Sequence, residues 1–508
     1  MTNNRVDFTE RHIKGGWAKY LPAISGFYTT HLGKAAADPE FVSESRIPKN
    51  FELGIAGLDF LKGTDEAYFS YKYGLYSAGH AERNLSKCND REPMIHNRPK
   101  DTILIGDSGG FQIATGVIKL DWTTVKGAGG DKLREEILRY LEHTSDWSMT
   151  LDVPAFAAEG SLSEKTGLTK FADTLDITVH NLDYFMTHRI PGKTKFLNVL
   201  SGSSPETSKE WFDAVIPYSI PDAVEAMNYT RDRTLEGYAF AGVNMRDMAC
   251  VLDRLLDLRE LDALKDKDWI HFLGIGRLDW ACYLTTIERC LKQHDNPNIN
   301  VSFDAASPFV AAGGYALCYD YNHFTPQKLT YSMGRGLDNK SLKGSTLAMP
   351  FQGPIMERLD VGDICVMGPT DVNKHGKIGK TSWDTTSYAL VMAHNVYNHI
   401  QAIQEVNRLA DIDDLTKGYS YRDLPALDHR GAKMTGEHIP AIIPMVRDLI
   451  RVILDPATPN PRDMIKDHGK YLNKISFKEN KQANLKRLNV DIDAMAAEDI
   501  EDLIDSDE

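Results

Sequence analysis

Six short apolar runs, each ending in Gly, Asp or Ser and each followed by a helix-like stretch, constrain this chain more than any other feature. They are TILIGDSGG (102–110), SMTLDVP (148–154), FLNVLSGSS (196–204), GYAFAGV (237–243), IHFLGIG (270–276) and INVSFDAASP (299–308). Strands this short and this apolar belong to a parallel sheet covered on both faces. Between them lie amphipathic segments such as DKLREEILRYLEH (131–143), MACVLDRLLDLREL (248–261) and LDWACYLTTIERCLKQH (278–294). Right-handed strand–helix–strand crossovers build either a doubly wound sheet or a closed barrel. The barrel fits better, because the units span about 200 residues without the Gly-rich first turn of a nucleotide-binding sheet. Polar residues also gather at the C-terminal ends of several strands, where barrels assemble their sites. The expected fold is α/β: a (β/α)8 TIM-like barrel with a small, mainly helical C-terminal extension.

The barrel, with the N-terminal segment, is expected over 1–408. Its last element is a long helix over 385–408, with Val396, Ile400 and Ile403 spaced to share one face. A helical, basic extension is expected over 409–490. The chain then ends in an acidic segment, 491–508, whose composition predicts disorder. That segment holds nine acids and no base, and so accounts for nine of the fourteen net negative charges. Just upstream, 466–487 carries seven bases against two acids. Net charge therefore does not exclude a polyanionic partner; it requires that binding be local.

Six scattered cysteines (Cys88, Cys250, Cys282, Cys290, Cys318, Cys365), with no CxxC or CxC pair, point to free thiols in a reducing cytoplasm. No stretch approaches the roughly 18 apolar residues of a membrane span, and the N-terminus lacks the pattern of a signal peptide. A cytoplasmic location, in a bacterial or infected host cell, and no membrane partner are the expectations.

Three carboxylates stand at strand ends: Asp107 in GDSGGFQ, Asp152 in TLDVP and Asp304 in SFDAASP. An Asp after a strand commonly caps the next helix. Three of them on different strands of one barrel would instead share one mouth, where close carboxylates can differ in pKa and divide labour.

The run DSGGFQ resembles the signature of the tRNA-guanine transglycosylases, and further segments follow in the family's order over roughly residues 100–400. TLDVP is similar to the family's FDE segment, LSGS (200–203) to VQGG, GYAFAGV to GYAIGGL, HFLGIG to YLMGVG and SFDAASP to MFDCVLP. AHNVYNHIQAIQEV (393–406) resembles its HN-containing helix. The resemblance implies a nucleophile at Asp304 and a general acid/base at Asp107. It implies a base site from Ser108, Gly109, Gly110, Phe111, Gln112, Asp152, Ser201 and Gly202, with Gly242 and Val243 contacting the base through backbone groups. Exchanging a base with retention needs two inversions, which such a pair of carboxylates can perform.

Two departures shape the reading. Ser201 stands where the family reads the base with Gln, which leaves room for a substituted 7-deazaguanine. The family's CxCxxC zinc motif is also largely missing: alignment on His394 leaves Asp363, Cys365 and Gly368 in its place, with His375 as a further weak candidate. No cofactor is expected to be required, and zinc is expected to be absent or non-essential. The eroded motif and the lack of a trailing RNA-binding domain make the chain most like transglycosylases of phages and genome islands that insert 7-deazaguanines, such as preQ0 or preQ1, into DNA. The expected partners are DNA and a free 7-deazaguanine base, with phosphates held by Lys328, Arg335, Lys340 and Lys343; a homodimer is compatible with this. Transfer to tRNA, a non-catalytic nucleic-acid-binding subunit and a barrel glycoside hydrolase are the competing readings. Retention of both Asp107 and Asp304 speaks against the silent subunit.

Overall fold

The computed structural model describes residues 5–473 apart from 39, 336, 373–376 and 426–435; at 44 and 335 it describes the backbone alone. The acidic segment 491–508, and the basic run beyond 473, lie outside the described residues.

Eight parallel strands form one sheet. They are β1 (Lys19–Pro22), β2 (Tyr73–Ser77), β3 (Ile103–Asp107), β4 (Trp147–Met149), β5 (Lys195–Leu200), β6 (Gly237–Phe240), β7 (Trp269–Phe272) and β8 (Asn300–Ala305). Their order around the sheet is β1-β8-β7-β6-β5-β4-β3-β2. The two edges meet beyond β1, where Ala23 pairs with Leu75 and the Ile24 N–H donates to the Leu75 carbonyl at 2.9 Å. The result is the nearly closed ring of a TIM-like barrel. The six apolar runs supply β3 to β8. The two strands not anticipated, β1 and β2, are tyrosine-bearing and short, with Tyr20, Tyr73 and Tyr76 all buried.

The helices behave as the sequence pattern dictates. We label α1 (Gly110–Thr115), α2 (Ala128–Thr144), α3 (Phe171–His188), α4 (Pro205–Val215), α5 (Met248–Glu260), α6 (Leu278–His294), α7 (Thr385–Lys417), α8 (Ile442–Leu454) and α9 (Pro461–Asn473). In α2, Leu133, Ile137, Leu138 and Leu141 form one buried face. The long helix α7 begins at Asp384, whose carboxylate accepts the Ser387 N–H at 2.8 Å, and ends at Gly418 in the left-handed region. Val396, Ile400 and Ile403 are buried along it, and it runs nine residues past 408.

The described part of the C-terminal extension is mainly helical and clamps the barrel. Arg462 of α9 meets Asp253, Asp257 and Glu260 of α5. Arg447 of α8 is fully buried; its guanidinium donates to Thr286 Oγ1 of α6 and Asp411 Oδ1 of α7, both at 2.8 Å, and lies 3.3 Å from Asp414. This second layer explains why α6, amphipathic in sequence, is buried on nearly every side. Among the described residues, no helix is long and apolar enough to cross a membrane. Because removing one partner strands a buried charge, Arg447→Ala is expected to destabilise the fold by about 3–5 kcal/mol. A urea midpoint unchanged from the parent would contradict that.

Candidate active site

Parallel strands deliver their C-terminal residues to one rim. Ser77 and Asp107 close β2 and β3 as directly paired residues. The Ser77 hydroxyl donates to Asp107 Oδ2 at 2.6 Å and itself accepts the Gly79 N–H at 3.0 Å. Asp107 keeps part of its surface at the mouth, yet surrounding protein displaces enough water to push its carboxyl up. The Ser77 and Gly109 hydrogen bonds pull against this, and the negative charge of Asp304 adds to it.

Asp304, on the neighbouring face of the barrel, is held from below. Its Oδ1 accepts the Gly274 N–H at 2.9 Å and a hydrogen bond from His271 Nε2 at 3.1 Å. His271 is completely buried and turns its other nitrogen, Nδ1, to Ser302 Oγ at 2.8 Å. Ser302 Oγ in turn accepts the indole N–H of Trp269 at 2.7 Å. Indole is a donor only, so the serine proton is free to be given to Nδ1, which leaves Nε2 to direct an N–H at the carboxylate. Among the described residues, no hydrogen bond reaches Oδ2 of Asp304. His271, Ser302 and Ser77 were not singled out from sequence. The usable signal was parity: Trp269 and His271 alternate along β7, and Ser302 and Asp304 along β8, so all four face one interior.

Asp152, just past β4, belongs to the same mouth. An atom added as Cβ to Gly110 would stand 3.0 Å from Asp152 Oδ1. Burial, helped by the charge of Asp107, pushes the Asp152 carboxyl from 3.8 to about 7. The structure thus brings Asp107 within electrostatic reach of both Asp304 and Asp152.

The remaining expected base-site residues divide. Gly109, at φ +80°, and Gly110 form the turn that opens α1. Phe111 packs its ring 5.5 Å from that of Phe156. Ser108 is turned inward and donates to the Thr150 carbonyl at 3.2 Å. Gln112 faces His80, with Nε2 3.1 Å from His80 Nε2, and burial lowers that imidazole to about 4. Ser201 and Gly202 follow β5 and lie against Gly242, whose added Cβ would sit 2.8 Å from Ser201 Oγ and 2.2 Å from the Gly202 carbonyl. The Val243 N–H donates to the Gly202 carbonyl at 2.7 Å, which ties the loop after β6 to the loop after β5.

The basic candidates are also partly committed. Lys328 is exposed in the 3-10 turn Pro326–Lys328, at the tip of the hairpin made by β9 (Leu317–Thr325) and β10 (Thr330–Arg335). Lys340 donates to the Gly379 carbonyl, and Lys343 pairs with Asp371; both tie neighbouring loops together. The Arg335 side chain lies outside the described residues.

The weak metal candidates have separate partners. Cys365 is buried with its thiol on the Leu337 carbonyl. Asp363 accepts the Asp360 N–H at 2.7 Å as part of a helix cap. His394 Nε2 lies 2.8 Å from the Tyr319 carbonyl, and burial lowers its imidazole to about 4. His375 lies outside the described residues.

No protein-family model matches the sequence, and no curated protein matches it.

Asp152 generates a pH prediction. The folded state holds its proton more tightly than the unfolded chain does, so this group's contribution to stability is present below 3.8 and is lost as pH rises towards about 7. Asp152→Asn keeps the size and removes the charge. Its melting temperature should exceed that of the parent at pH 8 by roughly a few degrees, with the gap closing towards pH 4. A gap that grows on acidification would contradict the assignment.

Proposed function

We propose that the protein is a transglycosylase that exchanges guanine in DNA for a 7-deazaguanine base by double displacement. The observation that carries this is the pairing, in one barrel mouth, of a carboxylate fixed by two donors with a second carboxyl whose pKa burial raises.

In this reading Asp304 Oδ2 attacks C1′ of the nucleotide from the face opposite the base, while His271 and the Gly274 N–H hold Oδ1. The C1′–N bond breaks, and the departing guanine takes a proton from Asp107, whose raised pKa suits a general acid. The incoming 7-deazaguanine returns a proton to Asp107 as its nitrogen attacks C1′. The C1′–Oδ2 bond then breaks, restoring Asp304 with net retention. Asp152 accepts from the N1–H and N2–H edge, which guanine and 7-deazaguanine share. The base must leave its stack to reach the mouth, at a few kcal/mol for a duplex. The DNA assignment rests on the eroded CxCxxC segment and on Ser201 in place of Gln.

The experiment is incubation of the protein with radiolabelled guanine and either duplex DNA or tRNA. Label should enter DNA; preferential label in tRNA would overturn the choice of polymer, and label in neither would overturn the activity. Asp304→Asn should abolish exchange in a folded protein. Asp107→Asn should lower kcat and raise KM for the free base together; a change in KM alone would remove Asp107 as the acid/base. His271→Phe should reduce kcat roughly a hundredfold by releasing the nucleophile. His271→Gln, which keeps a donor, should recover part of that loss, and unchanged kcat in both variants would remove His271 from the site.

A further inference from the structure

The excursion that carries the chain from β2 back to β3 holds two ligand-type side chains outside the mouth. Cys88 lies in the short helix Cys88–Arg91, and His96 ends the short helix Pro93–His96. His143, in the last turn of α2, faces them. One donor atom from each lies within 4.8 Å of the other two, the one such grouping among the described residues. We propose that Cys88, His96 and His143 bind a zinc ion that staples the β2–β3 excursion to α2.

A thiolate with two imidazoles is the borderline-soft donor set that zinc takes. In a tetrahedral site, bonds of about 2.3 Å to sulfur and 2.0–2.1 Å to nitrogen place the donors roughly 3.4–3.6 Å apart. The present separations, none above 4.8 Å, exceed that by at most about 1.4 Å. Cys88 is buried, the His96 side chain is 2% exposed, and His143 is exposed. The grading leaves an entry path and a fourth position open to water on the His143 side.

A second observation points to a cation. His96 Nε2 is buried without a hydrogen bond, and Glu92 Oε2, 3.6 Å away, is too distant to supply one. Glu92 is itself fully buried, taking hydrogen bonds from the Tyr76 hydroxyl at 2.8 Å and the Glu82 N–H at 3.0 Å. A divalent ion on His96 would put positive charge beside this carboxylate, offsetting its burial. On binding, the Cys88 thiol gives its proton to solvent and coordinates as the thiolate. The same excursion begins at Ser77, the residue that holds Asp107, so the staple would steady one wall of the mouth. The proposal is independent of the transglycosylase reading and distinct from the Cys365 and His394 positions.

The test is elemental analysis of tag-free full-length protein after exposure to Zn2+ and desalting. About one zinc per chain is expected. With Co2+ as the probe, the protein should show the thiolate-to-cobalt charge-transfer band and the visible bands of a tetrahedral site. Cys88→Ser and His143→Ala should each hold less than about a tenth of the parent's metal, whereas Cys365→Ser should hold all of it. His143 is exposed, so His143→Ala should fold, as far-ultraviolet circular dichroism will report. Metal-free parent protein, zinc retained by His143→Ala, or zinc lost only in Cys365→Ser would each overturn the proposal.

Discussion

Closing eight parallel strands into a ring obliges every strand to present its C-terminal end at the same rim, and the rest of the structure follows from that constraint. Register then decides which side chains meet. Ser77 opposes Asp107 across β2 and β3, and parity turns His271, Ser302 and Asp304 into one interior. Three carboxylates are thereby gathered at one rim, where the charge of Asp304 helps to raise Asp107 and that of Asp107 helps to raise Asp152. The chain answers the repulsion unequally. Asp304 receives a backbone N–H and an imidazole, and Asp107 a hydroxyl and a backbone N–H. Burial pushes Asp152 to about 7.

That inequality bears on how an acid-rich mouth could admit a polyanion. A carboxyl that holds its proton near neutrality adds little to the negative field, so the charge that phosphates must approach is smaller than the count of aspartates suggests. Lys328, exposed at the hairpin tip, remains free to meet a phosphate. Lys340 and Lys343 are engaged in loop-to-loop contacts, and the surface pair of Lys343 with Asp371 is worth at most about 1 kcal/mol, so it can be exchanged for a phosphate.

The sequence made the strands from β3 to β8 legible because each is a short apolar run closed by Gly, Asp or Ser. It also made Asp107, Asp152 and Asp304 legible, since an Asp at such an end stands out. It hid β1 and β2, because KYLP and YGLYS are short, and tyrosine does not announce burial as leucine or valine does. It hid His271 and Ser302 because both lie inside strands rather than at punctuated ends, and their role depends on which neighbours the barrel register supplies. The group at Cys88, His96 and His143 was invisible for another reason: 47 positions separate His96 from His143, and only the packing of the excursion against α2 unites them.

The central claim is that Asp304 forms a covalent bond to the sugar. The most direct measurement is denaturing mass spectrometry of the protein after incubation with guanine-containing DNA and no added base. The account predicts a polynucleotide adduct that survives denaturation, maps after digestion to the peptide containing SFDAASP, and disappears when free guanine is supplied. An adduct on a peptide carrying Asp107 or Asp152, or turnover with no adduct at any time, would contradict it.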